Sequence, residues 1–122
     1  MFVYTQKDSS ILDRQTAMLK SPVFGKDEEF CFKFKFFDSV IGDGNTSLTV
    51  EVNPLGSSGN GAEIWRLNMK NTGQWQQASA PVPRVNETFQ LTIRVEWSIG
   101  QVGSISVDEV VIGAINSSCS SK

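Results

Sequence analysis

The chain of 122 residues contains no histidine. That absence removes the usual base of Ser-His and Cys-His nucleophiles and the commonest metal ligand, so those chemistries and zinc catalysis are excluded within one chain. Cysteine is nearly absent too. Cys31 and Cys119 are the two present, and their wide separation fits an extracellular staple better than a metal site, which needs clustered ligands. Charge of either sign is modest: 11 basic and 13 acidic residues give a net charge of −2. Such a balance offers no electrostatic footprint for nucleic acid or an anionic membrane. No apolar run approaches the roughly 20 residues needed to span a bilayer. The domain is therefore not expected to insert into a membrane. Met1-Phe2-Val3-Tyr4 does not read as a signal peptide, so an export signal would lie upstream.

Helical periodicity is sustained nowhere, and short alternating runs are separated by Gly, Ser, Asn and Pro. Phe30, Phe32, Phe34 and Phe36 alternate with Cys31, Lys33 and Lys35, giving one aromatic face and one wet face. Phe89, Leu91, Ile93, Val95 and Trp97 alternate in the same way with Gln90, Thr92, Arg94 and Glu96. These two runs are expected to be central strands. Leu48, Val50 and Val52 supply a third inward row, and Trp65 with Leu67 a shorter one. The pattern is that of an all-β antiparallel sandwich, and the length suits one domain with a single core.

Gly56-Ser57-Ser58-Gly59-Asn60-Gly61 and Gly42-Asp43-Gly44-Asn45 read as hairpin connections. Neither is followed by the Gly-Lys-Ser/Thr and helix of a phosphate-binding loop. Pro81 and Pro83 suggest a stiffened connector over residues 80–88. Three sequons begin at Asn45, Asn86 and Asn116. Each falls at an expected turn or strand end, where a glycan acceptor must be exposed, and together they point outside the cell.

Few residues offer chemistry. Glu51 and Glu96 can be imagined as a glycosidase pair, which requires carboxyls about 5 to 9 Å apart. The plainer reading is a set of solvated cross-strand charges beside Lys33, Lys35 and Arg94. The acids Asp27, Glu28 and Glu29 form a solvated turn, too small alone to supply the six or so oxygens calcium needs. Trp65 and Trp97 share phase with inward residues. Trp75, flanked by Gln74, Gln76 and Gln77, is the one candidate platform for a sugar ring, although packing beneath a loop is the ordinary fate of a tryptophan there.

The end of the chain is its most specific feature. Ile105 and Val107 point one way, Asp108 and Glu109 fill a step, and the apolar phase resumes at Val110 and Ile112 before Cys119. A phase change within one strand implies an inserted residue, so a β-bulge is expected at the two acids. A bent terminal strand with paired acids and a closing cysteine resembles the end of the MAM domain, an extracellular adhesion module. The same family's order is matched by Phe2 to Gln6, by Ala17 to Val23 with its Ser21-Pro22, by the strand around Cys31, and by Ile64 to Leu67 and Gly73 to Ala78.

The resemblance implies a β-sandwich of jelly-roll type over residues 1–119, with residues 120–122 beginning a linker or tail. It pairs Cys31 with Cys119. It also makes Asp108 and Glu109 candidate ligands for a structural calcium ion, with bulge geometry alone as the simpler account and no other cofactor expected. The family ordinarily opens with a further strand and an earlier cysteine pair. This chain starts after that point, so a sheet edge is expected to self-associate or to take up an upstream segment. The implied function is a non-catalytic protein-interaction or adhesion module, extracellular, within a larger receptor or matrix protein. Its expected partner is a protein or a second copy, and the alternative is a carbohydrate-binding, lectin-like jelly roll.

Overall fold

A computed structural model describes residues 3–7, 15–25, 29–42, 44–56, 61–71, 73–113 and 119. Eight strands follow one another: β1 (Val3–Lys7), β2 (Gln15–Lys20), β3 (Phe30–Asp38), β4 (Ser47–Pro54), β5 (Ala62–Asn68), β6 (Gln76–Val82), β7 (Phe89–Trp97) and β8 (Gly103–Gly113). They form two four-stranded antiparallel sheets with orders β1-β8-β3-β6 and β2-β7-β4-β5. Consecutive strands mostly fall in different sheets, which is the crossing habit of a jelly roll.

The two most regular alternating runs, β3 and β7, each lie inside their own sheet. Their inward rows face each other, and Phe30, Phe32, Phe34, Phe36, Phe89, Leu91, Ile93, Val95 and Trp97 share one core cluster with Leu48, Val50, Val52 and Trp65. Trp65 meets Phe34 edge-on at 5.5 Å between ring centroids. That geometry places the positive rim of one ring against the negative face of the other. Phe24, outside any strand, closes one end of the core against Phe30 at 4.7 Å and Phe89 at 5.5 Å.

Two expectations need correction. Residues 80–82 are not part of a connector, because β6 continues through Pro81 to Val82. β6 is an edge strand paired only with β3 in its sheet, so a residue without an N–H costs no ladder bond if that side faces outward. Val110 and Ile112 also differ from the buried row their phase suggested. Ile112 stands opposite Phe32, on the inward side, yet Val110 and Ile112 are each 47% exposed. β1 pairs with β8 only from Gly103 to Val107, and among the described residues no strand flanks the remainder of β8 on that side.

At the end carrying the 39–46 and 98–102 loops, Gln101 is buried and uses both ends of its amide. Its Oε1 accepts from the Thr46 N–H at 2.8 Å, and its Nε2 donates to the Gly42 carbonyl at 3.0 Å. The Ser98 N–H donates to Thr46 Oγ1 at 2.9 Å. Gly42 has φ of 105°, and a Cβ there would strike the Gly100 carbonyl oxygen. The close approach of the two loops therefore requires glycine.

Candidate interaction surfaces

The outer face of the β1-β8-β3-β6 sheet follows from the pairing register, since opposed residues in an antiparallel pair share a face. Ser106 stands opposite Phe37, Asp108 opposite Lys35, Val111 opposite Lys33, and Gly113 opposite Cys31. Across β6, Gln77 lies opposite Lys35, Ser79 opposite Lys33 and Pro81 opposite Cys31. Cys31 thus points outward, yet it is fully buried. It is bonded to Cys119, with 5.9 Å between the Cα atoms, so the bridge ties residue 119 across the outside of the sheet.

Between Lys33 and Lys35 the ladder slips: two residues of β3 span the same length as three of β8, from Asp108 to Val111. Glu109 sits in the left-handed region at φ 52°. This is the bulge that the phase change implied. Asp108 Oδ1 accepts from the Glu109 N–H at 2.8 Å, while Glu109 Oε2 meets Lys35 Nζ at 2.6 Å. Hydrogen bonding to Glu109, followed by its charge, raises the Lys35 pKa above its usual 10.5. The two acids are thus engaged with the backbone and a lysine, and among the described residues no three His, Cys, Asp or Glu side chains come together as a metal site would need. Beside the bulge lies a shallow depression of about 360 Å³ lined by Lys33, Phe34, Lys35, Gln77, Glu109 and Val111.

Trp75 departs from the expectation of packing beneath a loop. It is 46% exposed and leans on Phe37 with 5.8 Å between ring centroids. Its position just before Gln76, which opposes Phe36, sets it at the end of the outer row that includes Phe37. Arg94 and Glu96 belong to the other sheet, so the aromatic pair and those charges do not form one platform.

Glu51 and Glu96 do share a face, but they are not opposed. Glu51 stands opposite Thr92 and Glu96 opposite Ser47, four residues apart along a strand, or about 13 Å at the usual strand rise. Arg94 lies between them, with Nη2 3.2 Å from Glu51 Oε1 in an ion pair not aligned as a hydrogen bond. The two are thus not placed face to face across the strands, and the Arg94 guanidinium stands between them.

Asn45 and Asn86 are exposed. Asn116 lies outside the described residues, as do Asp27 and Glu28, residues 57–60 and the tail 120–122.

The sequence matches the family described as MAM domain, meprin/A5/mu, over residues 1–120. The chain belongs to the MAM family. MAM domains are extracellular, non-catalytic modules of the adhesion type, and the two antiparallel sheets and the disulfide seen here accord with a MAM fold. No curated protein matches the chain. Among the described residues no helix is long and apolar enough to cross a membrane. Sequence reasoning missed the Trp75–Phe37 pair and the bridging amide of Gln101. Both depend on contacts between segments far apart in the chain, for which a local pattern carries no signal.

Proposed function

We propose that this MAM domain is a non-catalytic protein-recognition module acting outside the cell, within a larger receptor or matrix protein. The family match over residues 1–120 carries the reading. The buried staple between Cys31 and Cys119 supports an oxidising compartment, and exposed Asn45 and Asn86 would carry glycans there. A rigid sandwich presents two outer faces and two sets of loops, and recognition then depends on side chains placed on those surfaces. The test is to secrete the chain from a eukaryotic host, multimerise it on beads, and measure attachment to cells and to coated matrix proteins. Saturable attachment, abolished by prior reduction, is the expected result. Beads that bind no better than bare ones across a broad set of surfaces would defeat the proposal.

The exposed Trp75–Phe37 pair favours a second reading, a lectin-like module in which the indole stacks on a sugar ring. Here a glycan array should give hits that disappear in Trp75→Ala while the protein remains folded. An array without Trp75-dependent hits sets this reading aside and leaves protein recognition in place.

A further inference from the structure

Asp38 takes an inward position that β3 otherwise gives to phenylalanine. It follows Phe30, Phe32, Phe34 and Phe36 on the same side of the strand and stands opposite Ile105, a core residue, yet it is an acid and only 1% exposed. Acids are almost never buried this far unless paired. One partner is visible: Oδ1 accepts from the Asn71 N–H at 2.6 Å, and Asn71 is in a left-handed conformation at φ 51°. Among the described residues the second oxygen has neither a hydrogen bond nor an ion pair. Asp38 also lines a depression of about 200 Å³, together with Leu67, Asn68, Lys70 and Gln76. The depression lies beside the connection from β5 to β6, which are edge strands of the two sheets, and β6 is at the opposite edge of its sheet from β1.

We propose that this depression is a socket for a primary ammonium group, supplied by a lysine side chain of a partner protein. Charge selects a cation, because an ionised carboxylate accepts hydrogen bonds and has none to donate. Space selects a compact one. A guanidinium pairs best with both oxygens of a carboxylate at once, and here the Asn71 N–H already holds one of them. An ammonium is a point charge with three donors, so a single free oxygen serves it. Leu67 gives the lining an apolar wall and the Asn68 amide gives it a further acceptor, which suits a side chain with an alkyl stem and a charged tip. A divalent metal fits less well, since the lining holds no second acid. Lys70 is in the lining too, exposed and without an ion pair to Asp38 among the described contacts. Its ammonium is the competitor that an incoming lysine meets.

The proposal rests on the reading of this domain as a protein-recognition module, and it names the chemistry by which one partner side chain is held. The two can fail separately. A chain that binds the ammonium but attaches to no surface would count against the module reading, whereas a chain that attaches well but ignores the ammonium would count against the socket alone.

The experiment titrates Nα-acetyl-lysine methylamide into the intact, disulfide-bonded chain at constant ionic strength, from about 0.1 to 50 mM, the range suited to one weak contact. The backbone amides of Asn71 and Gln76 are followed by NMR. Three further probes separate head from stem and source: the arginine analogue, the lysine analogue with its side-chain amine acetylated, and butylammonium. Asp38→Asn keeps an oxygen for the Asn71 N–H and replaces the free one with an NH2 donor, while Lys70→Ala removes the competing cation from an exposed position. Thermal melting establishes that each variant folds. The expected result is a saturable shift with the lysine analogue, at least tenfold weaker with the arginine and acetylated analogues and in Asp38→Asn, and at least twofold tighter in Lys70→Ala. No saturable shift in the wild type overturns the proposal. So does binding confined to Lys70→Ala, since the chain's own lysine then fills the socket, and so does equal binding by Asp38→Asn. Butylammonium binding without the lysine analogue overturns the assignment to a protein's lysine. Should Asp38→Asn fail to fold, Lys70→Ala carries the test, and weaker binding by that variant is the contrary outcome.

Discussion

Lys35 Nζ lies 2.6 Å from Glu109 Oε2, and the pair spans the step at which the ladder between β3 and β8 slips by one residue. Both side chains are about half exposed, so the contact marks local geometry more than it contributes to stability. Its effect should be visible in titration. The carboxylate raises the lysine pKa above 10.5. The stabilisation linked to it is therefore fully present below the unfolded value and is lost as pH rises through the folded one. Glu109→Gln should return the Lys35 amine toward 10.5 in an NMR titration, and an unchanged titration midpoint would mean that the pair does not persist in solution.

The same glutamate is in a left-handed backbone conformation at φ 52°, which costs a non-glycine residue roughly 1 kcal/mol. Glu109→Gly should be neutral or slightly stabilising, because relief of the backbone offsets loss of a weak surface ion pair. Glu109→Val should be destabilising by about 1 to 3 kcal/mol, since a branched Cβ fits this region poorly. Denaturant unfolding of the three proteins should rank them Gly, Glu, Val, and the reverse order would rule out a bulge of this type.

Much of the fold was legible because its inner rows follow a strict period of two. Phe30 to Phe36 and Phe89 to Trp97 present no alternative face to the core, and the phase change around Asp108 forces an extra residue into β8. The order of strands within the sheets was not legible in the same sense, because pairing joins segments far apart in the chain and many orders satisfy the same alternation. Val110 and Ile112 show the limit most clearly. Their phase puts them on the inward side, but burial also requires something across from them, and that is a property of neighbouring elements. Trp75 is a second case. It precedes β6 by one residue, where no alternation constrains it, and only the register with Phe36 places it beside Phe37.

Face assignment can be tested directly on β3. Phe34 is 1% exposed and packs against Trp65, whereas Lys33 beside it in sequence points to the outer face. Phe34→Ala should cost about 3 to 5 kcal/mol through lost burial and the cavity left behind. Lys33→Ala should stay within about 0.5 kcal/mol. Equal losses in urea unfolding would contradict the inward row.

The bridge from Cys31 to Cys119 closes a loop across 88 positions of sequence. In the chain-entropy treatment, closing a loop of that size removes unfolded-state freedom equivalent to roughly 4 to 5 kcal/mol. Reduction should therefore lower the melting temperature and shift the denaturant midpoint downward. Alkylation of the secreted protein without prior reduction should label neither cysteine; labelling of both would show that the bridge does not form.

Gln101 gives the sharpest test of the loop end, because its amide satisfies two backbone groups that no other described contact reaches. Gln101→Ala would leave the buried Thr46 N–H without its acceptor, which costs about 1 to 3 kcal/mol, while the carbonyl of exposed Gly42 can turn to water. Gln101→Glu is the informative partner substitution. A carboxylate can still accept from Thr46, but when ionised it cannot donate to Gly42, so two oxygens would face each other. Gln101→Glu should consequently be less stable than the wild type at neutral pH and should recover part of the loss as pH falls and the acid becomes able to donate. Calorimetry at pH 7 and about pH 4 measures both effects. Equal penalties for Gln101→Glu at the two pH values would show that the Gly42 contact does not hold the loops together.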